Sequence, residues 1–264
     1  MLGLGNSISA SDYSGGWTPA SLSNLTLWLA FNQNMTADQD ASNVSISHSI
    51  AAGDMADGDK INAWNAFGDT SINAVQTTQG DKPFWETDTA DIGGIKLHSA
   101  VKFMDLSADV VLDANTDFTI ATRFKCTDLD AARGLMGSTG TEFIRLQDNN
   151  TVRLKVNNVQ RNFDLASGTI ATDEYFILII VRSDGSTGNL NLFIRGNESL
   201  NGTATGTQVG GEIADANEIT ISDIGAQSDD STNFTGFFKD VIIWDGSAAS
   251  SGDRKEIFDY IEGQ

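Results

Sequence analysis

The chain has 264 residues, and 36 acidic residues against 16 basic ones give it a formal net charge of −20. A negative field of this size repels nucleic-acid phosphates and anionic lipid surfaces, so we expect neither nucleic acid nor a membrane as a partner. A hydrophobic fraction of 40%, with 14 Phe and 5 Trp, excludes a disordered chain. The single cysteine, Cys126, cannot form an internal disulfide and is predicted to fill core space.

Residues 1–16 predict a flexible arm, because four glycines interrupt a stretch that has no apolar periodicity. They lack the basic and apolar regions of a signal peptide, and no apolar stretch of the chain has the length of a membrane span. We therefore expect a protein that is made in the cytoplasm and not exported by a visible signal. With only 2 prolines and no Gly/Ser-rich linker, residues 17–264 are predicted to form a single domain.

Alternating apolar and polar residues predict half-buried β-strands in the second half of the chain. In residues 117–126 the phenylalanines point to one face, while Arg123 and Lys125 point to the other. Residues 151–157 and 189–195 repeat this alternation. Asn, Asp or Gly stands at the end of each of these segments or within two residues after it, which is typical of strands followed by turns.

Two further segments, residues 175–181 and 237–244, are predominantly apolar, with Lys239 and Asp240 as the interruption in the second, and each has the length of one strand. This composition is typical of strands that are covered on both faces. Clusters of Asn, Asp, Gly and Ser between the strands predict turns. Together, the strands and turns predict an all-β fold, a two-sheet antiparallel jelly-roll sandwich.

A short helix is predicted at the C-terminus. Asp253 and Glu256 have the spacing of a capping box, and Ile257, Phe258 and Ile261 form an apolar stripe behind them. We expect this helix to dock on the sandwich through the stripe.

Several segments, read in order, resemble one known family. The C-terminal part is the most similar: residues 234–244, followed by Asp253, Arg254 and Tyr260, resemble its final strand and helix. The earlier segments with such a similarity are residues 25–29, 61–65, 82–85, 100–103 and 117–120. The family is the concanavalin A-like lectin/glucanase superfamily in its laminin G-like branch. The resemblance runs from residue 17 to residue 263 and implies a jelly roll.

A shorter resemblance concerns residues 1–8, which look like the start of virion proteins of marine tailed phages. With the acidity and the absent signal peptide, it favours a module carried on a virion. We predict a non-enzymatic structural, decoration or tail-fibre-associated module that binds other virion proteins or copies of itself, with host-surface glycans as further ligands. The alternatives are a carbohydrate-binding lectin module of an adhesin and, less favoured, a glycan hydrolase.

The sequence offers little for catalysis. Retaining glucanases of this superfamily carry a Glu-x-Asp-x-x-Glu array on one strand, and this chain has none. Glu142 and Glu174 each stand alone at the start of a predicted strand, and neither His48 nor His98 lies beside a nucleophile motif. We therefore predict no catalytic residue.

Calcium is the one cofactor for which the sequence offers ligands. The resemblance implies it, because laminin G-like domains often hold one calcium ion at the rim of the sandwich. Asp54, Asp57 and Asp59 supply carboxylates at short spacing, and Gly58 permits a sharp turn between them. A solvated acidic loop explains the same residues, and the sequence leaves both interpretations open.

Three tryptophans, Trp64, Trp85 and Trp244, are candidates for sugar binding, because aromatic rings flanked by polar residues stack on sugar faces. Packing in the core or at the rim explains them equally, since most Trp residues of sandwiches are used in that way.

Four cations, Arg123, Lys125, Arg153 and Lys155, occupy outward positions of predicted strands in a chain with few basic residues. If those strands are neighbours, the cations form a basic patch that docks an acidic partner or a second copy of the chain. The alternative is cross-strand pairing with carboxylates.

Overall fold

The computed structural model of the chain describes residues 16–30, 35–38, 48–50, 57–86, 94–97, 103–113, 116–156, 159–183, 189–196, 203–205, 207–210, 218–228 and 232–263. Within these ranges the chain forms β-strands, a 3-10 helix (Pro19–Ser21) and an α-helix, α1 (Ser251–Glu262). In chain order the strands are β1 (Leu25–Leu29), β2 (Met35–Asp38), β3 (His48–Ile50), β4 (Lys60–Trp64), β5 (Ala74–Val75), β6 (Phe84–Glu86), β7 (Gly94–Leu97), β8 (Met104–Leu112), β9 (Phe118–Cys126), β10 (Arg133–Thr139), β11 (Glu142–Leu146), β12 (Thr151–Val156), β13 (Val159–Asp164), β14 (Tyr175–Ser183), β15 (Asn189–Gly196), β16 (Thr203–Thr205), β17 (Thr207–Gly210), β18 (Ile219–Ile224) and β19 (Gly236–Asp245).

Two sequence predictions concern the N-terminal arm and membrane-spanning segments. Of the predicted arm, residues 1–16, the structure describes Gly16 alone, so the rest of the arm lies outside the described residues. Among the described helices, none is long and apolar enough to cross a bilayer.

One sheet, here called the back sheet, has the strand order β16, β15, β14, β9 and β19. On the edge that does not face β9, β19 pairs with β7 at its start and with β1 along its second half. All these pairings are antiparallel. The long strands β14 and β19 are buried at every residue but the last. This confirms that residues 175–181 and 237–244 are strands covered on both faces.

The other sheet, here called the front sheet, has the antiparallel order β5, β8, β18, β10, β11, β12, β13 and β17. At one side of the molecule β4 and β6 link β5 to β7, so the hydrogen-bonded ladder runs from one sheet into the other. Two short strands, β2 and β3, extend this side from β4. The predicted all-β, two-sheet antiparallel sandwich is therefore confirmed.

The main core lies between the two sheets. Inward residues of the back sheet, such as Phe124 and Leu178, belong to the same continuous cluster as inward residues of the front sheet, such as Leu154 and Ile221. Full burial of each such side chain contributes about 1.5–3 kcal/mol. Cys126 also lies in this cluster, as predicted, and burial raises the pKa of its thiol to about 11.

A second apolar cluster lies on the outer face of the back sheet, where α1 covers it. Ile242 and Trp244 of β19 pack there with Ile257, Phe258 and Ile261 of α1. The predicted docking of the C-terminal helix through its apolar stripe is thus confirmed.

The cap of α1 differs from the prediction. The hydroxyl of Ser250 accepts a hydrogen bond from the backbone N–H of Asp253, and the Asp253 carboxylate accepts one from the backbone N–H of Ser250. The capping box therefore joins Ser250 to Asp253 and not Asp253 to Glu256. A short serine hydroxyl reaches the third amide as well as an aspartate does, and the helix begins three residues earlier.

β9 also differs from the prediction, because it is buried along its whole length and not on one face. Arg123 is 6% exposed and Lys125 is 7% exposed. The last turn of α1 covers Arg123, whose Nη1 donates to the Ile261 carbonyl at 3.2 Å. The Tyr175 ring lies beside both cations, with its centroid 5.0 Å from the Arg123 guanidinium and 4.9 Å from Lys125 Nζ. The outer face of β9 is therefore packed against other elements.

Candidate functional site

The outer face of the front sheet is polar where the back sheet is apolar. Along β11 and β12, Ile144, Leu146, Val152, Leu154 and Val156 point into the core. Because side chains alternate along a strand, their neighbours point outward. The outward residues around Arg145 and Arg153, here called the arginine face, are Phe143, Arg145, Gln147, Arg153, Lys155, Asn162 and Gln227. The Asp164 carboxylate, which accepts from the Thr151 hydroxyl, lies beside them on the same side of the sheet.

Two glycines of β10 shape one side of the arginine face. A Cβ atom at Gly134 would lie 2.3 Å from the backbone nitrogen of Gln227, and a Cβ atom at Gly137 would lie 2.2 Å from its backbone oxygen. The segment that follows β18 therefore passes over β10 at a distance that only glycine permits. This crossing brings Gln227, which lies 82 residues from Arg145 in sequence, onto the arginine face.

Arg145 is held by two neutral amides. Its Nη1 donates to Gln227 Oε1 at 2.6 Å, while its Nε and Nη2 donate to Gln147 Oε1 at 3.1 and 2.7 Å. The guanidinium lies over the Phe143 ring, 4.7 Å from the ring centroid. Burial first, and then the neighbouring charge of Arg153, lower the pKa of the Arg145 guanidinium. The group is fixed in place while its charge is left unneutralised.

Arg153 lies directly opposite Arg145 in the pairing of β12 with β11. Its Nε donates to Asn162 Oδ1 of β13 at 2.9 Å, which leaves Nη1 and Nη2 without an acceptor among the described residues. Two like charges in this arrangement repel each other, a cost that sheets ordinarily avoid. Both arginines are therefore oriented by amides and set side by side.

Lys155 adds a third cation, two residues along β12 from Arg153. Its Nζ donates to the Gly140 carbonyl at 3.2 Å and lies 5.8 Å from the Phe143 centroid. In the part of the chain that the structure describes, Arg145, Arg153 and Lys155 form no ion pair with a carboxylate. For a chain of net charge −20 this is a concentrated positive surface.

The basic patch predicted from the sequence does not form as one unit. Arg123 and Lys125 lie on β9 between β14 and β19, whereas Arg153 and Lys155 lie on β12 between β11 and β13. The two strands belong to different sheets, so the pairs point to opposite sides of the sandwich. The sequence pattern shows which residues point outward and does not show which strands are neighbours.

The first pair is part of a separate cluster around Tyr175. Besides Arg123 and Lys125, Lys239 lies there, with its Nζ 4.3 Å from the Tyr175 centroid. A register shift between Phe238 and Asp240 in β19 marks a bulge at Lys239. Burial lowers the pKa of the Lys125 ammonium, although Asp173 and Glu86 act in the opposite direction.

The three tryptophans predicted as sugar platforms lie in the interior. Trp64 is 0% exposed and Trp85 is 1% exposed, both in the main core, and Trp244 is 0% exposed under α1. Their indole N–H groups serve the fold, since Trp64 donates to the Ala30 carbonyl and Trp244 to the Pro19 carbonyl, both at 2.9 Å. A buried ring presents no face to a sugar, so the structure corrects this prediction.

The acidic loop considered for calcium is described in part. Asp54 lies outside the described residues, and Asp57 is exposed. Asp59 is buried, and its backbone carbonyl accepts a hydrogen bond from the backbone N–H of Trp85 at 2.7 Å. Within the described ranges, no group of three His, Cys, Asp or Glu side chains is arranged to hold a metal ion. The calcium site stays a prediction.

Sequence reasoning missed most of the arginine face. A signal existed for Arg145, because it lies between two apolar residues, Ile144 and Leu146, and a short Asp-Asn-Asn turn joins this segment to the alternating residues 151–156. That hairpin sets Arg145 opposite Arg153. No local signal existed for Gln227, which reaches the face only through the crossing over β10.

Comparison with known proteins agrees with this architecture. The sequence model of the concanavalin A-like lectin/glucanases superfamily matches residues 98–251. A search of curated proteins finds none that matches.

Three solved structures illustrate the structural similarity. The Ruminococcus gnavus IT-sialidase CBM40 bound to α2,3 sialyllactose is 10% identical, with a TM-score of 0.36, over 57% of this chain and 92% of that one. The binding domain of botulinum neurotoxin serotype D is 15% identical, with a TM-score of 0.43, over 89% and 53%. A Trypanosoma rangeli sialidase is 11% identical, with a TM-score of 0.43, over 89% and 32%. By its family match, the chain belongs to the concanavalin A-like lectin/glucanases superfamily.

Proposed function

We propose that this chain is a non-enzymatic carbohydrate-binding module and that the arginine face is its binding surface. The observation that carries the proposal is the fixed set of hydrogen-bond donors on an outer sheet face. Gln147, Gln227 and Asn162 each use the amide oxygen to hold an arginine. The amide NH2 groups of Gln147 and Asn162, which are half-buried, remain as donors at the surface, whereas Gln227 is 8% exposed and serves mainly to hold Arg145. Oriented donors of this kind recognise the oxygen atoms of a sugar.

The same groups favour binding without catalysis. Hydrolysis of a glycosidic bond uses a pair of carboxyl groups that flank the bond. The arginine face supplies guanidinium, ammonium and carboxamide groups, which orient a ligand and do not exchange protons with it at neutral pH. Phe143 is 3% exposed beneath Arg145 and serves as a shelf for the guanidinium, so the polar layer above it makes the ligand contacts.

Asn162→Leu tests the location of the site without changing the net charge. It removes the amide that orients Arg153. We therefore expect the affinity for a glycan to fall about tenfold, which corresponds to the loss of one or two hydrogen bonds. The full chain and the variant are compared on a glycan array and then by titration calorimetry. Asn65→Leu is the matched control. The Asn65 amide donates a hydrogen bond to the Thr36 hydroxyl and lies outside the arginine face.

Two results would contradict the proposal. If the full chain retains no glycan of the array, the function is wrong. If Asn162→Leu and the parent chain bind a retained glycan equally, the chain binds sugars through another surface.

The virion role predicted from the N-terminus is untouched by these findings and stays a prediction. A carbohydrate-binding module is compatible with a place on a particle or in an adhesin, and none of the described contacts favours either.

A further inference from the structure

The charge of the arginine face points to a narrower class of ligand, an inference that rests on the proposed function. Arg145 and Arg153 are paired across two strands, and Lys155 follows two residues along β12. At about 3.3 Å per residue, the positive charge therefore extends over about 7 Å along the strand. In a chain with 36 acidic residues, these three cations form no ion pair with any described carboxylate.

The hydrogen bonds of these three cations orient their side chains but do not neutralise their positive charge. Amide and carbonyl oxygens accept from all three side chains, and such dipoles orient a cation without neutralising it. Burial of Arg145 strengthens this effect, because the interaction of a charge with a partner is larger away from bulk water. An anion that lies between or above Arg145 and Arg153 would relieve the repulsion between them.

We propose that the arginine face binds an acidic polysaccharide, a sugar chain that carries carboxylate or sulfate groups. Oxyanions accept two parallel hydrogen bonds from a guanidinium, and Nη1 and Nη2 of Arg153 have no acceptor among the described residues. A neutral sugar offers hydroxyl groups, which are donors as well as acceptors, to a face whose charged groups are all donors. A chain of acidic sugars matches both the donors and the extended positive charge.

Charge also separates this ligand from other anions. The net charge of −20 repels any polyanion at long range, and DNA has a far denser charge than a polysaccharide with one acid group per sugar. At about 0.1 M salt the screening length is about 10 Å, so the local face and not the whole chain determines binding. Measurements at this ionic strength therefore report on the arginine face.

The test uses the full chain with defined probes at about 0.1 M salt. The carboxylate probes are alginate and polygalacturonate, each compared with its carboxyl-reduced neutral form, and the sulfate probe is dextran sulfate compared with dextran. We expect the acidic form of at least one pair to bind at least tenfold more tightly than its neutral form. The pair that responds identifies the acidic group.

Arg153→Gln and Lys255→Gln each remove one positive charge, the first from the arginine face and the second from exposed α1. Arg153→Gln is expected to weaken binding of the acidic probe about tenfold or more, and Lys255→Gln to leave it unchanged. Arg153→Lys keeps the charge and loses the bidentate geometry, so we expect an intermediate affinity. If Arg153→Gln fails to fold, Arg153→Lys still tests whether the guanidinium of Arg153 contributes to binding.

The possible failures are distinguishable. Equal binding of the acidic and neutral forms overturns the inference and leaves the carbohydrate-binding function standing. Binding of polyglutamate or duplex DNA, lost in Arg153→Gln, while no glycan binds, overturns both in favour of an acidic protein or a nucleic acid. Self-association at low salt that Arg153→Gln abolishes, again without glycan binding, shows that a second copy of the acidic chain occupies the face.

Discussion

The two outer faces of the sandwich are built on opposite principles. On the back sheet, Ile177, Ile242 and Trp244 face outward and α1 covers them, so this part of the sheet is apolar on both sides. On the front sheet, Arg145 and Arg153 face outward and are held by amides. Burial on the back face stabilises the fold, whereas like charges held in adjacent positions on the front face do not. The outer face of the back sheet therefore stabilises the fold, whereas the arginine face is the proposed binding surface. Substitutions on the two faces should differ in their effects on stability and on ligand binding.

Trp244→Ala removes a fully buried indole beneath α1 and should have the largest effect on stability. The indole is 0% exposed, and its loss also leaves the Pro19 carbonyl without its donor. We expect the free energy of unfolding to fall by about 3–5 kcal/mol, measured by urea denaturation. Val111→Ala, at a residue that is 37% exposed on β8, is the control and should cost much less. A loss below about 1 kcal/mol for Trp244→Ala would mean that the back face is not a core.

Gly137→Ala tests the link between the fold and the arginine face. The new Cβ atom would lie 2.2 Å from the Gln227 carbonyl oxygen, so the crossing segment must move away from β10. Overpacking of this kind costs about 1–3 kcal/mol, and because the contact is with backbone we expect the upper end. Glycan binding should weaken at the same time, since Gln227 holds Arg145.

Gly140→Ala is the matched control for this glycine, because its Cβ atom would lie 3.8 Å from Gln227 Nε2, an ordinary contact. If both variants unfold at the same urea concentration and bind alike, the close crossing over β10 has no role in the site.

Cys126 lies in the core between the two sheets. The raised pKa of its thiol predicts how the free energy of unfolding depends on pH. Its pKa is about 11 in the folded chain against 9.0 for an unperturbed thiol, mainly because burial disfavours the thiolate. The contribution to stability is complete below pH 9 and is lost as pH rises from 9 through 11, by about 2 kcal/mol at pH 11. The difference in unfolding free energy between the parent chain and Cys126→Ala should shrink by this amount over that range. A difference that does not vary with pH would show an ordinary thiol.

The contrast between the faces was only partly predictable from sequence. The apolar runs that became β14 and β19 indicated strands covered on both sides, although Lys239 and Asp240 interrupt the second run and are buried with it. Local alternation likewise identified Arg153 and Lys155 as outward residues. Which strands lie side by side depends on long-range pairing, so the sequence grouped Arg153 with Arg123 from the opposite sheet. The tryptophans misled for a related reason, since a polar sequence neighbourhood does not show whether a ring is buried by distant segments.

Arg153→Gln should have the smallest effect on the free energy of unfolding. A small effect here would show that the arginine face, unlike the outer face of the back sheet, does not stabilise the fold. The substitution removes one of two directly opposed positive charges and also one hydrogen bond to Asn162. Relief of repulsion and loss of the bond each amount to about 0.5–1 kcal/mol and oppose each other, so the net change in unfolding free energy should lie within about 0.5 kcal/mol. Because salt screens the repulsion, raising the salt concentration should stabilise the parent chain more than the variant. A loss above about 1 kcal/mol, measured by the same urea titrations, would mean that the arginine face is structural. The loss of ligand binding in this variant, at unchanged stability, is what distinguishes a retained binding surface from a packed one.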